Sequence, residues 1–194
     1  MAAGVSDNMK VIVKYGLDET ARIDLLADSS ILPSGRPLFV PDWARGFVAT
    51  AAVAVRVSRL GKCIAHRFAT RYWDAITGCL VTEGVDGDGC RVAHGALSRA
   101  HDGALLLGQM LERDMLSVPA PTLRWAVSGE VIAEVPLDVV RDITDATISQ
   151  VSQYMTLKMG DLLCFSLGVS HELVMGRDTT IALDGQAVLK TNIR

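Results

Sequence analysis

Apolar and polar residues alternate with a period of two along much of this chain, the spacing that sends successive side chains to opposite faces of a strand. The longest such run is Gly46–Arg59, GFVATAAVAVRVSR. Phe47, Ala49, Ala51, Val53, Val55 and Val57 share one face; Val48, Thr50, Ala52, Ala54 and Arg56 share the other. Both faces are small or apolar, so the pattern predicts a strand buried on both sides. Met9–Tyr15 sets Val11 and Val13 opposite Lys10, Ile12 and Lys14, a first strand. Between them, LDETARIDLLADSS reads as an acidic stretch with room for one or two helical turns. ILPSGRPLFVPDW, with its prolines and glycine, reads as a loop leading to an edge strand.

After the turn SRLGK, the segment HRFATRYWDAI predicts a short helix ending near Thr77–Gly78. A strand around Cys79–Thr82 and a loop, EGVDGDG, follow. Leucines in Ala96–Leu116 suggest a helix that Gly103 and Gly108 weaken. TLRWAVSGEVIAEVPL is the clearest hairpin, two alternating runs about Ser128-Gly129. Asp145–Tyr154 predicts a helix with Ile148, Val151 and Met155 on one stripe and Asp145 or Thr147 as N-cap. Lys158–Asp161 is a turn, and strands and turns alternate to the terminus, with Asp184-Gly185 a second hairpin signal. The expectation is a strand-rich α+β fold with two or three short helices. No repeat or linker divides the chain, so one domain is expected over 1–194.

Composition narrows the functional classes. With 194 residues, 49% hydrophobic and 21% charged, the chain can bury a core without metal or disulfide staples. Net charge is −3, aromatics are 5%, and no Lys/Arg block stands out, so nucleic acid is not an expected partner. No apolar run approaches the roughly 20 residues of a membrane helix, and MAAGVSDNMKVIVKYG lacks the charged start and apolar core of a secretory signal. Cysteines 63, 79, 90 and 164 are scattered without a CxxC pair, which suits reduced thiols in the cytoplasm.

Five segments resemble the fumarylacetoacetate hydrolase family in the right order, from about residue 29 to the end. VSGEV with the following helix, then Ser152, Thr156-Leu157 and Gly160-Asp161, resembles its "NGE" hairpin and "S-x-x-x-T-L-x-x-GD". ILPSGRPLFVPDW resembles its loop into the catalytic sheet, VRVSRLGK its "V-x-I-x-x-x-G-K" turn, and RAHD its "K-x-F-D". The resemblance implies a mixed β-roll, commonly a homodimer, and metal-assisted chemistry on small 2-oxo or 1,3-dicarbonyl acids. There, Mg²⁺, Mn²⁺ or Ca²⁺ held by three carboxylates acts as a Lewis acid toward oxo-acid oxygens.

Carried over residue by residue, the resemblance places the family's E-x-E ligands at Thr50 and Ala52, and its aspartate ligand at Val81. Glu83 shares the face of Val81 but offers one carboxylate. The site lysine becomes Arg99, and the substrate-contacting turn becomes Ser166 and Leu167. Asp86 is the surviving aspartate of the "N-D-x-[ST]-x-R-D" segment. These substitutions lead to an expectation of no cofactor and of a family member without the metal-dependent reaction, a pseudoenzyme or supporting subunit. It would be a homodimer, or a heterodimer with an active paralogue. One alternative keeps catalysis on oxo acids by Arg99 with His101 or His66, free of metal. Another is a scaffold binding a small carboxylic acid. His94, His171 and the DGDG turn are expected to be structural, as are Cys79 and Cys164 in the core.

Overall fold

The computed structural model describes residues 9–115 and 121–194. The end of the Ala96–Leu116 reading lies outside the described residues. Among the described residues, twelve strands form two sheets. The larger is built from β1 (Val11–Lys14), β2 (Ile23–Leu26), β3 (Ile31–Pro33), β4 (Gly46–Val57), β5 (Trp73–Val85), β6 (Leu105–Leu107), β7 (Leu111–Glu112) and β10 (Leu162–Leu173). Its order is β2-β1-β10-β4-β5-β6-β3, with β7 also on β5; β1 with β10 and β3 with β6 are parallel, the other pairs antiparallel. The smaller has order β12-β11-β8-β9, from β8 (Thr122–Val127), β9 (Glu130–Pro136), β11 (Asp178–Leu183) and β12 (Gln186–Asn192). The α-helices are α1 (His66–Ala69) and α2 (Val140–Tyr154).

Connectivity forces the large sheet to curl. Seven strands side by side span about 29 Å at the usual strand spacing. Yet β2 and β3, at its two edges, are joined across Leu26–Ile31, which reaches at most about 18 Å. The sheet therefore closes toward a half-barrel. Its concave face is lined by Val11, Val13, Leu26, Ala52, Ala54, Cys79, Val81, Leu105, Leu162 and Cys164, one buried cluster that includes residues from near both edges. Alanine, valine and cysteine suit a tightly curved interior. The convex face carries Phe47, Val53, Leu80 and Phe165 and is covered by the small sheet and α2, through Leu123, Trp125, Ile148 and Ile181. The sheets meet so closely at Gly78 that an added Cβ would lie 2.4 Å from Ile181 Cγ2.

The hairpin about Ser128-Gly129 forms as its sequence demands, with φ of 48° and 84°, and Asp184-Gly185 likewise at 45° and 80°. Cys79 and Cys164 are buried in the core, and β4 is buried through most of both faces. Four local expectations are corrected. The acidic stretch 17–30 holds a strand, β2, and a 3₁₀ turn at Asp28–Ser30. The helix expected to reach Thr77 stops at Ala69, followed by a 3₁₀ turn at Thr70–Tyr72, because Trp73 already pairs with Val57 as the start of β5. The leucine-rich segment forms a 3₁₀ turn at Gly95–Arg99 and then β6 and β7, which pair with β5; sheet pairing overrides local helix propensity there. Lastly, α2 begins at Val140 with no side-chain cap, and Asp145 lies inside it. The Asp145 carboxylate is buried and accepts hydrogen bonds from Thr70 Oγ1 and from Trp73 Nε1 at 3.0 Å, which pins the entry to β5 against the helix.

Candidate functional site

Strand register brings Thr50, Ala52 and Val81 together on the concave face. Thr50 sits between Val81 of β5 and Ser170 of β10, and Ala52 between Cys79 and Ser166. Thr50 Oγ1 and Ser170 Oγ are hydrogen-bonded at 2.8 Å. Ala52 and Val81 are buried hydrocarbon, continuous with the two cysteines. The neighbouring Cys164 thiol, and then burial, push the Cys79 thiol well above its ordinary range, so it stays protonated.

Two residues further along each strand, Glu83 stands beside Val48. Both of its oxygens are ion-paired: Oε1 lies 2.7 Å from Arg99 Nη2 and Oε2 2.7 Å from Arg91 Nε, with Ser98 Oγ 3.3 Å from Oε1. Arg99 also reaches Asp24 on edge strand β2, at 3.7 Å, and lies 4.4 Å over the Tyr15 ring. Since β2 and β5 are four strands apart in the sheet, this guanidinium spans the mouth of the curled face. Arg22 forks onto Asp24, with Nε to Oδ1 at 3.0 Å, and that bond first of all holds the Asp24 carboxyl below its usual range. Burial pushes the Tyr15 phenol up to about 12, against the opposing effect of Arg99.

The other candidates disperse. His101 lies on the convex side: its ring stacks on Phe47 with centroids 5.4 Å apart, and Nε2 is 3.1 Å from Thr82 Oγ1. Thr82 and Glu83 are consecutive on β5 and point to opposite faces. Arg99 and His101 therefore have the sheet between them and cannot act on one substrate. His66 is exposed at the start of α1. Ser166 stays on the concave face, hydrogen-bonded at 3.4 Å by the Gly168 amide, but Leu167 turns into the convex cluster. Asp86 is exposed and caps its own loop, accepting from the Asp88 and Cys90 amides at 3.0 and 2.9 Å. Tyr15, Asp24, Arg22 and Arg91 were not foreseen. Arg91 is returned to Glu83 by the local turn after β5, while Tyr15, Arg22 and Asp24 join the cluster through Arg99 only because the sheet curls.

The sequence and the fold also match known proteins. The model of the fumarylacetoacetate hydrolase C-terminal family matches residues 19–172. The chain belongs to the fumarylacetoacetate hydrolase family. No curated protein matches it by sequence. Among solved structures, the 5-carboxymethyl-2-hydroxymuconate delta-isomerase of Mycobacterium smegmatis superposes with a TM-score of 0.81 at 20% identity, over 95% of this chain and 78% of that one. Maleylpyruvate hydrolase from Sphingobium sp. SYK-6 gives 0.79 at 16%, over 95% and 69%. Fumarylpyruvate hydrolase of Pseudomonas aeruginosa, in complex with Mn²⁺ and pyruvate, gives 0.77 at 14%, over 95% and 88%.

That last structure corrects the expectation of no cofactor: a protein of this fold holds Mn²⁺. The residues at the three carried-over positions do not fit such an ion, being one hydroxyl and two hydrocarbon side chains. Among the described residues, no group of three or more His, Cys, Asp or Glu is placed to hold a metal. No helix among them is long and apolar enough to cross a membrane.

Proposed function

We propose that this family member has given up turnover at the concave face, and that the face now serves a supporting subunit, assembled as a homodimer or with an active paralogue in the cytoplasm. The observation that carries this reading is the engagement of Glu83. A carboxylate with both oxygens held by Arg91 and Arg99 is neither a free base nor a free ligand. Thr50, Ala52 and Val81 fill the rest of the face with hydrocarbon and one hydroxyl pair. The separation of Arg99 from His101 removes support from a catalytic pair.

The test offers the purified protein the substrates of its structural relatives, fumarylpyruvate, maleylpyruvate and 5-carboxymethyl-2-hydroxymuconate, with Mn²⁺ added and again with chelator. Metal content is measured on the same sample. No turnover above the uncatalysed rate is expected under either condition. Turnover at about 1 s⁻¹ or faster, an ordinary enzyme rate, would overturn the reading.

A further inference from the structure

On the convex side, across the sheet from Glu83, a cleft of about 430 Å³ opens beside the loop that follows β3. Small-molecule sites commonly occupy about 300–1,000 Å³ and pair apolar walls with a few polar groups. Here the walls include Leu32, Leu38, Phe39 and Trp43, and the polar groups are His101 and Asp102. Phe39 and Trp43 are 64% and 49% exposed, an unusual amount of aromatic surface for one short loop.

The tautomer of His101 follows from its partner. Thr82 has one hydroxyl proton, and it donates that proton to the Gly103 carbonyl at 2.8 Å. Its oxygen must therefore accept from His101, so Nε2 carries the ring hydrogen and Nδ1 carries a lone pair. That Nδ1 is buried and has no partner. Buried polar atoms without partners are rare enough to require a reason. Phe47 stacks behind the imidazole and is fully buried, whereas Trp43 meets it edge-on at 5.6 Å and is half exposed. Trp43 is the side that can give way.

We propose that this cleft binds a small planar aromatic molecule bearing a hydroxyl or N–H donor, a phenol in the simplest case. The ring lies against Trp43 and Phe39, where aromatic pairs gain from offset or edge contact. The donor meets Nδ1 of His101 as the indole swings aside. The proposal is independent of the reading of the concave face, since the sheet separates the two.

The test is an NMR titration of the full chain with phenol and with anisole, which matches it in shape and lacks the donor. Phenol is expected to shift the His101 and Trp43 ring signals saturably and to bind about tenfold more tightly than anisole, the worth of one hydrogen bond. His101→Phe keeps a ring on Phe47 and removes the acceptor; it should bring phenol down to the anisole level. Trp43→Ala should weaken both. Equal binding of phenol and anisole by the wild type overturns the proposal, even where neither variant folds. So does the absence of a saturable shift, a phenol preference that survives His101→Phe, or a concentration-dependent dimer that buries Trp43.

Discussion

The two faces of the curled sheet solve opposite problems with neighbouring residues. On the concave side, Glu83 brings a charge into a space lined by alanine, valine and cysteine, and needs Arg91 and Arg99 to neutralise it. On the convex side, Thr82 and His101 bring only neutral polar groups into a large aromatic and aliphatic core, and one imidazole nitrogen goes without a partner. Each side leaves a buried nitrogen without a hydrogen-bond partner, Arg99 Nε on the concave face and His101 Nδ1 on the convex, but the charged Arg99 is held by its ion pairs to Glu83 and Asp24. The charges of the concave face are thus paired with one another, and the convex cleft is still open to a ligand.

The sharpest way to break this contrast is to put a carboxylate back on the concave face without a cation. Ala52→Glu should cost at least about 4 kcal/mol, because the side chain enters a fully buried position flanked by Cys79 and Ser166. Urea unfolding measures it, and a loss under 1 kcal/mol (on the scale of an ordinary surface change) would show that the face admits water. Arg99→Ala comes next, at about 3 kcal/mol, the low end for orphaning a buried charge because Arg91 keeps its hold on Glu83. Removing both charges with Glu83→Leu and Arg99→Met should recover most of that loss; a double variant no better than the single would mean that packing, not charge, holds the mouth together.

The convex face should respond to pH. Burial, opposed by Asp102 and Glu83, holds His101 below its ordinary value of 6.5 in the folded protein. The unfolded chain then binds the proton more readily, so this contribution to stability is complete above pH 6.5 and is lost as pH falls toward the folded value. His101→Phe should cost about 1 kcal/mol at neutral pH, through the lost Thr82 bond, and should flatten the acid side of the stability profile. An unchanged acid slope in that variant would assign the slope to other groups. The smallest effect is expected from Thr50→Val, about 0.5 kcal/mol, since the Thr50–Ser170 bond is exposed. A loss several times larger would mark Thr50 as a keystone of the bulged β4–β10 register.

Strand β4 was legible because its period of two runs unbroken through Val57 and both of its faces are small, and the two hairpins because Ser-Gly and Asp-Gly supply positive φ at the turn. The absence of carboxylates at Thr50, Ala52 and Val81 was equally plain, since no shift of register puts an acid into GFVATAAVAV. Strand β5 was only half legible: WDAIT suits a helix locally, and pairing with β4 along the whole strand overrules it.

What the sequence determined alone is local: which residues alternate, where the chain turns, and which chemical groups the central strands lack. Only the tertiary structure decided what surrounds Glu83 and His101. Arg91 reaches Glu83 through the local turn that follows β5, but Tyr15, Asp24 and Arg99 are scattered over more than eighty positions and meet because a short connection between edge strands curls the sheet upon itself. Periodicity reports the face on which a side chain lies; which partners stand across that face is a property of curvature, and curvature is set by contacts that no local window of sequence contains.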